Sequence, residues 1–309
     1  MERLTSADRF IDGTKEKGSI LCVGLDPQYD LLPNNFKKLA KEKVAADIEL
    51  LFIKEIIDAV KDYAIAVKPN MAFYEGYGHR GIWVLGRIIE YAKNAGLLVI
   101  LDAKRGDGGD TAEAYAKAYL GKNAFVDIDA ITINGNIGDA CVPYFAEAAK
   151  NNSKGVFVVT KTSFKPNPRN IENLITQNGI RVWEELAGMV EEWGKGTEGE
   201  YGYSNVGVVM GATYPEDATR MREILPNAMF LVPGYGAQGG GADDAVRGVN
   251  KDGLGCIVSS SRSILCAFKK GPFQREDKYF AEAAEEAAEL SRDELNAALI
   301  SAGKISWQH

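Results

Sequence analysis

Eight short runs of apolar, mostly β-branched residues recur along the chain and limit what it can fold into. The runs occupy 20–25, 64–70, 97–104, 130–134, 155–162, 206–211, 229–234 and 256–261. They show little polar–apolar alternation, which is typical of parallel strands buried on both faces. The segments between them, such as 44–64, 81–96 and 181–194, carry apolar residues at spacings of three and four and predict helices. This alternation predicts an α/β fold, a single (β/α)8 TIM barrel.

A doubly wound open sheet would give the same alternation of strands and helices. Its usual mark is a glycine-rich dinucleotide-binding turn after an early strand, and no such turn follows the first or second run. No proline-rich or low-complexity linker divides the 309 residues, so we expect one domain over 1–309. We predict an inserted loop at 163–179 after strand 5, either a lid or a plain surface loop, and a C-terminal helix within 276–303.

Composition narrows the possible functions. The formal net charge of −7 disfavours nucleic acid as a partner, because backbone binding needs clustered Lys and Arg. The charged N-terminal segment lacks the apolar run of a secretory signal and no window could span a bilayer, so we expect a cytoplasmic protein without membrane contact. The four cysteines are widely spaced without a C-x-x-C pair, which predicts neither disulfides nor a zinc ribbon. With two histidines, one of them the last residue, the chemistry is expected to rest on Lys and Asp.

Charged residues collect where the predicted strands end, which is the catalytic face of a barrel. Asp102 and Lys104 lie two apart in the third run, so both side chains should point into the barrel mouth, and Asp107 follows three residues on. Two carboxylates would keep Lys104 protonated and able to deliver a proton. Lys68 on the neighbouring strand would complete an alternating Lys–Asp–Lys–Asp chain. A purely structural ion-pair network is the alternative, although burying four ionic groups rarely stabilises a fold.

A second polar group follows the seventh and eighth runs. The glycine-rich segment 232–244 would let backbone amides approach a ligand closely, and Gln238 within it offers a side-chain amide. Arg262, just after the eighth run, supplies a forked cation suited to phosphate oxygens. The segment could also be only a tight turn, but phosphate sites of barrels usually lie at this position. The sequence therefore predicts a small phosphorylated substrate.

These motifs resemble those of the orotidine 5'-phosphate decarboxylase family, in its longer, type 2 branch. The segment LDAKRGD fits the family's Asp-x-Lys-x-x-Asp signature at Asp102, Lys104 and Asp107. VGLDP surrounds Asp26 and VKPN surrounds Lys68, while PGYGAQGG and SSSRSIL fit the phosphate end. The five motifs stand in family order, each at its expected strand, over nearly the whole chain.

The resemblance implies conversion of orotidine 5'-monophosphate to UMP and carbon dioxide, the last step of de novo pyrimidine synthesis, without metal or organic cofactor. Lys104 would protonate C6, Asp102 would lie near the departing carboxylate, and Lys68 would hold Asp102 and contact the ribose. Asp107 and Thr111 would reach into the partner subunit's site, which implies a homodimer.

The resemblance also implies the substrate-binding residues. Asp26 would bind a ribose hydroxyl, and Ser163 would form a hydrogen bond with the edge of the pyrimidine ring. Gln238 would extend toward the phosphate, and Arg262 would bind it. The chain departs from the family pattern at three places, all in segments that are expected to form the substrate pocket or its lid. The replacements are Gly108, Gly109 and Asp110 for Ile-Gly-Asn or Ile-Gly-Ser, Gly135 and Asn136 for Pro-Tyr, and Ser163, Phe164, Lys165 and Pro166 for Ser-Asn-Pro.

Two rival functions remain open at this point. One is a metal-dependent phosphosugar aldolase or keto-sugar-phosphate decarboxylase of the same barrel suprafamily, with a divalent cation on carboxylates near the third strand. Lys104 between two aspartates would neutralise the cluster that such a metal occupies. The other is a noncatalytic nucleotide-binding barrel, against which the intact Lys–Asp–Lys–Asp set argues.

Overall fold

The computed structural model describes residues 4–42, 45–164, 169–236 and 239–304. Eight parallel strands close into a barrel in sequence order, with β8 paired to β1. The strands are β1 Leu21–Leu25, β2 Ala66–Pro69, β3 Leu98–Arg105, β4 Ala130–Asn134, β5 Gly155–Lys161, β6 Ser204–Met210, β7 Ala228–Pro233 and β8 Cys256–Ser260. Each begins and ends within two residues of its predicted run, so the predicted (β/α)8 barrel is confirmed.

Helices surround the barrel. They are α1 Ser6–Lys17, α2 Asn34–Glu42, α3 Ala45–Val60, α4 Met71–Glu75, α5 Gly78–Asn94, α6 Gly109–Leu120, α7 Val142–Asn151, α8 Val182–Gly194, α9 Pro215–Ile224, α10 Ala242–Ala245, α11 Arg262–Leu265 and α12 Phe280–Ser301. The three segments predicted as helices from their periodicity correspond to α3, α5 and α8. Among the described residues, no helix combines the length and apolar character needed to cross a membrane.

Two hydrophobic layers support the barrel. Outward-facing strand residues pack against the helices, and a separate cluster that includes Cys22, Ile100 and Phe157 fills the barrel interior. Helix α1 covers the amino-terminal end, where the ring of Phe10 meets that of Phe157 edge-on at 6.3 Å. Thr5 caps this helix by accepting a hydrogen bond from the backbone N–H of Asp8. The strands' carboxyl ends form the opposite, open end.

The two predicted additions to the barrel are both present. Residues 165–168 of the insertion after β5 lie outside the described residues, and the following part holds a 3-10 helix at Ile171–Asn173 and an antiparallel bridge between Ile175 and Arg181. The C-terminal helix is α12, whose Phe280 packs against Phe52 of α3 with ring centroids 5.2 Å apart. The helix thereby closes the barrel wall next to β1.

Candidate functional site

A cavity opens at the carboxyl ends of the strands and brings together residues that are far apart in sequence. Six of the nine residues predicted for the site line it, and they come from the ends of β1, β2, β3, β5 and β8. They are Asp26, Lys68, Asp102, Lys104, Ser163 and Arg262. Parallel strands place their carboxyl ends together, which is why residues following different strands converge here.

Asp102 is the centre of the charged cluster. Its Oδ2 accepts hydrogen bonds from Nζ of Lys68 at 3.1 Å and from Nδ2 of Asn70 at 3.3 Å. Its Oδ1 accepts from the hydroxyl of Thr132 at 2.8 Å and forms an ion pair with Nζ of Lys104. Four donors thus fix the carboxylate, and both of its oxygens are engaged.

The charges in this cluster set the pKa values of its buried members. Burial alone would raise the pKa of Asp102. The ammonium groups of Lys68 and Lys104 outweigh this effect and hold the pKa well below its ordinary value. Burial lowers the pKa of Lys68, and the carboxylates of Asp102 and Asp26 more than reverse this, so the net shift is upward. Asp102 is therefore an anion and Lys68 a cation at neutral pH.

Lys104 has an unusual backbone for a residue with a side chain. Its φ is 48°, in the left-handed region, and the pairing of β3 with β4 is irregular between Leu101 and Arg105. The backbone N–H of Lys104 donates to Oγ1 of Thr132 at 3.1 Å. Its side chain is half-exposed to the cavity, while that of Asp102 is buried. The irregular strand end thus holds the lysine where a ligand can reach it, at a local backbone strain.

Asp26 lies next to this cluster, after β1, which pairs with the strand that carries Lys68. Its Oδ2 accepts a hydrogen bond from the hydroxyl of Ser261 at 2.8 Å. Its Oδ1 is buried and has no hydrogen-bond partner among the described residues. A side chain at Gly24 would place its Cβ 1.7 Å from Oγ of Ser261, so this contact requires glycine. Within the described residues, Asp26 thus keeps one unsatisfied acceptor beside the cavity that it lines.

The predicted phosphate end lies on the same cavity. Arg262 is exposed at its rim, and Gly234 and Tyr235 of the loop after β7 contribute to its wall. Gln238, which was predicted to bind there, lies outside the described residues. The position of the loop and the arginine agrees with the usual phosphate side of a barrel.

Two predicted site residues do not line the cavity of their own chain. Asp107 is exposed and its Oδ1 accepts a hydrogen bond from the backbone N–H of Gly108 at 2.7 Å. Thr111 is exposed one turn later on α6. Both therefore face outward beside the barrel mouth.

Two residues of the site, Thr132 and Asn70, were missed in the sequence analysis, and so was a buried ion pair that lies outside the cavity lining. Thr132 and Asn70 hold Asp102, and Asn70 immediately follows the strand that carries Lys68. Lys161 is fully buried at the end of β5, where its Nζ lies 3.1 Å from Oδ2 of Asp217. The position of Thr132 and Asn70 at or near a strand end was the available signal, because such residues point to the mouth in a barrel.

The departures from the family pattern differ in position, and Ser163 and Phe164 line the cavity. Gly108 and Asp110 do not line it. Asn136 lines an adjoining cavity that shares Lys104 and Phe164 with the first one and extends to Arg169. None of the contacts described above for Asp102 comes from the altered residues.

The fold and the site together define a (β/α)8-barrel protein with a buried lysine–aspartate cluster at its mouth, beside a glycine-rich loop and an arginine. A model of the orotidine 5'-phosphate decarboxylase / HUMPS family matches residues 19–270. The chain belongs to that family, as its sequence motifs predicted.

Individual relatives agree with this assignment. The orotidine 5'-phosphate decarboxylase of Caldicellulosiruptor bescii is 41% identical over 279 residues, which cover 86% of this chain and 91% of that protein. The enzyme of the same name from Clostridium perfringens is 40% identical over 295 residues, which cover 95% and 99% respectively. Among solved structures, Leishmania donovani OMP decarboxylase superposes with a TM-score of 0.75 at 30% identity and covers 96% of this chain and 100% of its own.

Proposed function

We propose that this protein is a carboxy-lyase that converts orotidine 5'-monophosphate to UMP and carbon dioxide, the last step of de novo UMP biosynthesis. One observation carries the proposal: the carboxylate of Asp102 is held between the ammonium groups of Lys68 and Lys104 on the cavity surface. The family and the shared name of its curated relatives support the same reaction.

The reaction needs a fixed cation at one carbon. When the bond between C6 and the carboxylate breaks, carbon dioxide leaves and the electron pair stays on C6 as a vinyl carbanion without a conjugated sink. Nζ of Lys104 stabilises that charge and transfers a proton to C6, which yields UMP, and the neutral amine then regains a proton from solvent. Asp102 orients Lys104 and lies near the departing carboxylate, and Lys68 holds Asp102 and contacts the ribose.

The remaining cavity residues bind parts of the substrate away from C6. The carboxylate of Asp26, which lines the cavity, accepts a hydrogen bond from a ribose hydroxyl. Ser163 reads the pyrimidine edge, and Gln238 and Arg262 bind the phosphate. Binding energy from the phosphate can hold the ring against Lys104, which makes a remote anion site useful for catalysis.

We also propose that the protein is a cytoplasmic homodimer with a single domain over 1–309. The outward position of Asp107 and Thr111 supports the dimer, because both can complete the site of a partner subunit. The four cysteines are free and buried, which suits a reducing compartment.

Mixing two inactive variants tests this arrangement. In the proposed dimer, each site contains Lys104 of one subunit and Asp107 of the other, so Lys104→Ala and Asp107→Ala each remove one residue of every site. A refolded mixture should regain about a quarter of the wild-type activity, since half of the dimers carry one intact site. A mixture as inactive as its parents would contradict a shared site.

Loss of the substrate's ultraviolet absorbance tests the reaction itself. Purified protein is incubated with orotidine 5'-monophosphate with and without EDTA, beside Lys104→Ala and the matched exposed control Lys117→Ala. We expect turnover that EDTA does not affect, that Lys104→Ala abolishes and that Lys117→Ala retains.

Other outcomes favour the rival functions. Activity that EDTA abolishes would support a metal-dependent phosphosugar aldolase or decarboxylase. The engagement of both Asp102 oxygens by protein donors disfavours this alternative. Tight UMP binding without turnover would indicate a noncatalytic nucleotide-binding barrel.

A further inference from the structure

The glycine-rich loop after β7 has a backbone that needs an external anchor. Gly234 and Gly236 have φ values of 99° and 76°, a region that favours glycine, so the loop bends on both sides of Tyr235. Its ends are joined by backbone hydrogen bonds from Gly240 to Gly234 and from Gly236 to Gly240. Glycine lowers the cost of this conformation but does not fix it, because it adopts many others as easily.

Tyr235 ties this loop to the C-terminal helix. The side chain is buried, and its hydroxyl donates a hydrogen bond to Oε2 of Glu294 on α12 at 2.7 Å. Burial and the neighbouring Glu294 carboxylate both raise the pKa of Tyr235 well above its ordinary value, so the phenol keeps the proton that it donates. A hydrogen bond to a charged acceptor is stronger than one between neutral groups.

The anchored residue lies between two cavities. Tyr235 and Arg262 line the mouth cavity and also a larger cavity on the outer side, between the loop and α12. Tyr235 therefore joins the loop to α12 at the boundary between the two cavities. Gly234, next to Tyr235, borders the mouth cavity, so a shift of Tyr235 moves backbone that faces the predicted phosphate.

We infer that Tyr235 is a positioning residue for phosphate binding, with Glu294 as its anchor on α12. The inference rests on the proposed function, in which the loop and Arg262 hold the substrate phosphate. The hydrogen bond fixes the backbone of Gly234 and Tyr235, which lines the mouth cavity beside Arg262. It acts on the phosphate half of the ligand and not on the nucleoside half.

Calorimetric titration with UMP, which carries the phosphate, and with uridine, which lacks it, distinguishes an effect on the phosphate half of the ligand from one on the nucleoside half. Tyr235→Phe keeps the ring and removes the donor. We expect a roughly tenfold weaker Kd for UMP, as loss of one charge-assisted hydrogen bond predicts, and an unchanged Kd for uridine at millimolar concentrations. Tyr201→Phe is the matched control, because the Tyr201 hydroxyl donates to Oδ1 of Asp12 at 2.7 Å, away from the mouth.

A double-variant cycle identifies the anchor. Glu294→Ala should weaken UMP binding as much as Tyr235→Phe, and the double variant should be no weaker than either, because both remove the same hydrogen bond. Equal weakening of UMP and uridine, or unchanged UMP binding in Tyr235→Phe, would overturn the inference. Wild-type protein that binds neither ligand would instead contradict the proposed function, and the inference would fall with it.

Discussion

The position of Lys104 depends on a residue that does not touch the substrate in our proposal. Thr132 is buried, and its hydroxyl both donates to Oδ1 of Asp102 and accepts from the backbone N–H of Lys104. Thr132→Val has nearly the same shape but removes both hydrogen bonds. Asp102 then loses one of its four donors, and the left-handed backbone of Lys104 loses its side-chain support.

The size of the effect follows from these contacts. A hydrogen bond to a charged group contributes about 1.5–3 kcal/mol, and the loss of about 2 kcal/mol from the transition state lowers the rate roughly 30-fold. The effect should appear in kcat, because Thr132 supports the groups at C6, whereas KM should change little, because the phosphate contacts stay intact.

The assay is steady-state decarboxylation followed by absorbance, beside urea denaturation of each variant. Thr132→Ser keeps the hydroxyl and should retain most of kcat. Thr14→Val is the matched control, since the Thr14 hydroxyl is buried and donates to the carbonyl of Phe10 in α1, at the far end of the barrel. A Thr132→Val enzyme with kcat within about twofold of wild type would refute the positioning role, given the size of the lost interaction.

Two further predictions concern stability. Burial raises the pKa of Glu49 from 4.5 to about 7 although Tyr77 donates a hydrogen bond to it, so the contribution of Glu49 to stability is full below its unfolded pKa and is lost as pH rises through about 7. Glu49→Gln should remove this loss, about 2–3 kcal/mol at pH 8, in urea denaturation from pH 5 to 8, whereas exposed Glu147→Gln should leave the pH dependence unchanged. Lys161→Met should lower the free energy of unfolding by about 3 kcal/mol, because it leaves Asp217 without its buried partner. Asp217→Asn in the same chain should recover part of this loss, and an equal or larger loss in the double variant would contradict the explanation.

The sequence predicted the fold and the central pair of the site for physical reasons. Parallel strands buried on both faces leave a continuous apolar run, so all eight strands could be recognised. The period of two along a strand placed Asp102 and Lys104 on the same side, and the barrel brought Lys68 next to them. These inferences needed only local spacing and the topology.

The missed residues required tertiary information. Thr132 lies in a run that is typical of an ordinary strand. Threonine is common in strands whether or not its hydroxyl has a role, so its presence there did not indicate a function. Lys161 ends a strand just before the insertion, and only the packing of Asn173 and Asp217 against it shows that its ammonium is buried. The left-handed φ of Lys104 likewise has no sequence signal, since lysine has no preference for that region.

The two halves of the mouth act together only if their separation is fixed. The proposed phosphate half stands on β7 and β8, and the proposed reacting half on β2, β3 and β4, so β1 is the element between them. There, the hydrogen bond from Ser261 to Asp26 joins the segment before Arg262 to the predicted ribose-binding carboxylate, and Gly24 leaves the space it needs. In the proposed mechanism this contact spans the junction, so binding energy from the phosphate can be used to hold C6 against Lys104. We infer the same role for the Tyr235–Glu294 hydrogen bond on the outer side of the loop. A loop that had to be ordered on binding would use part of the phosphate binding energy for that ordering.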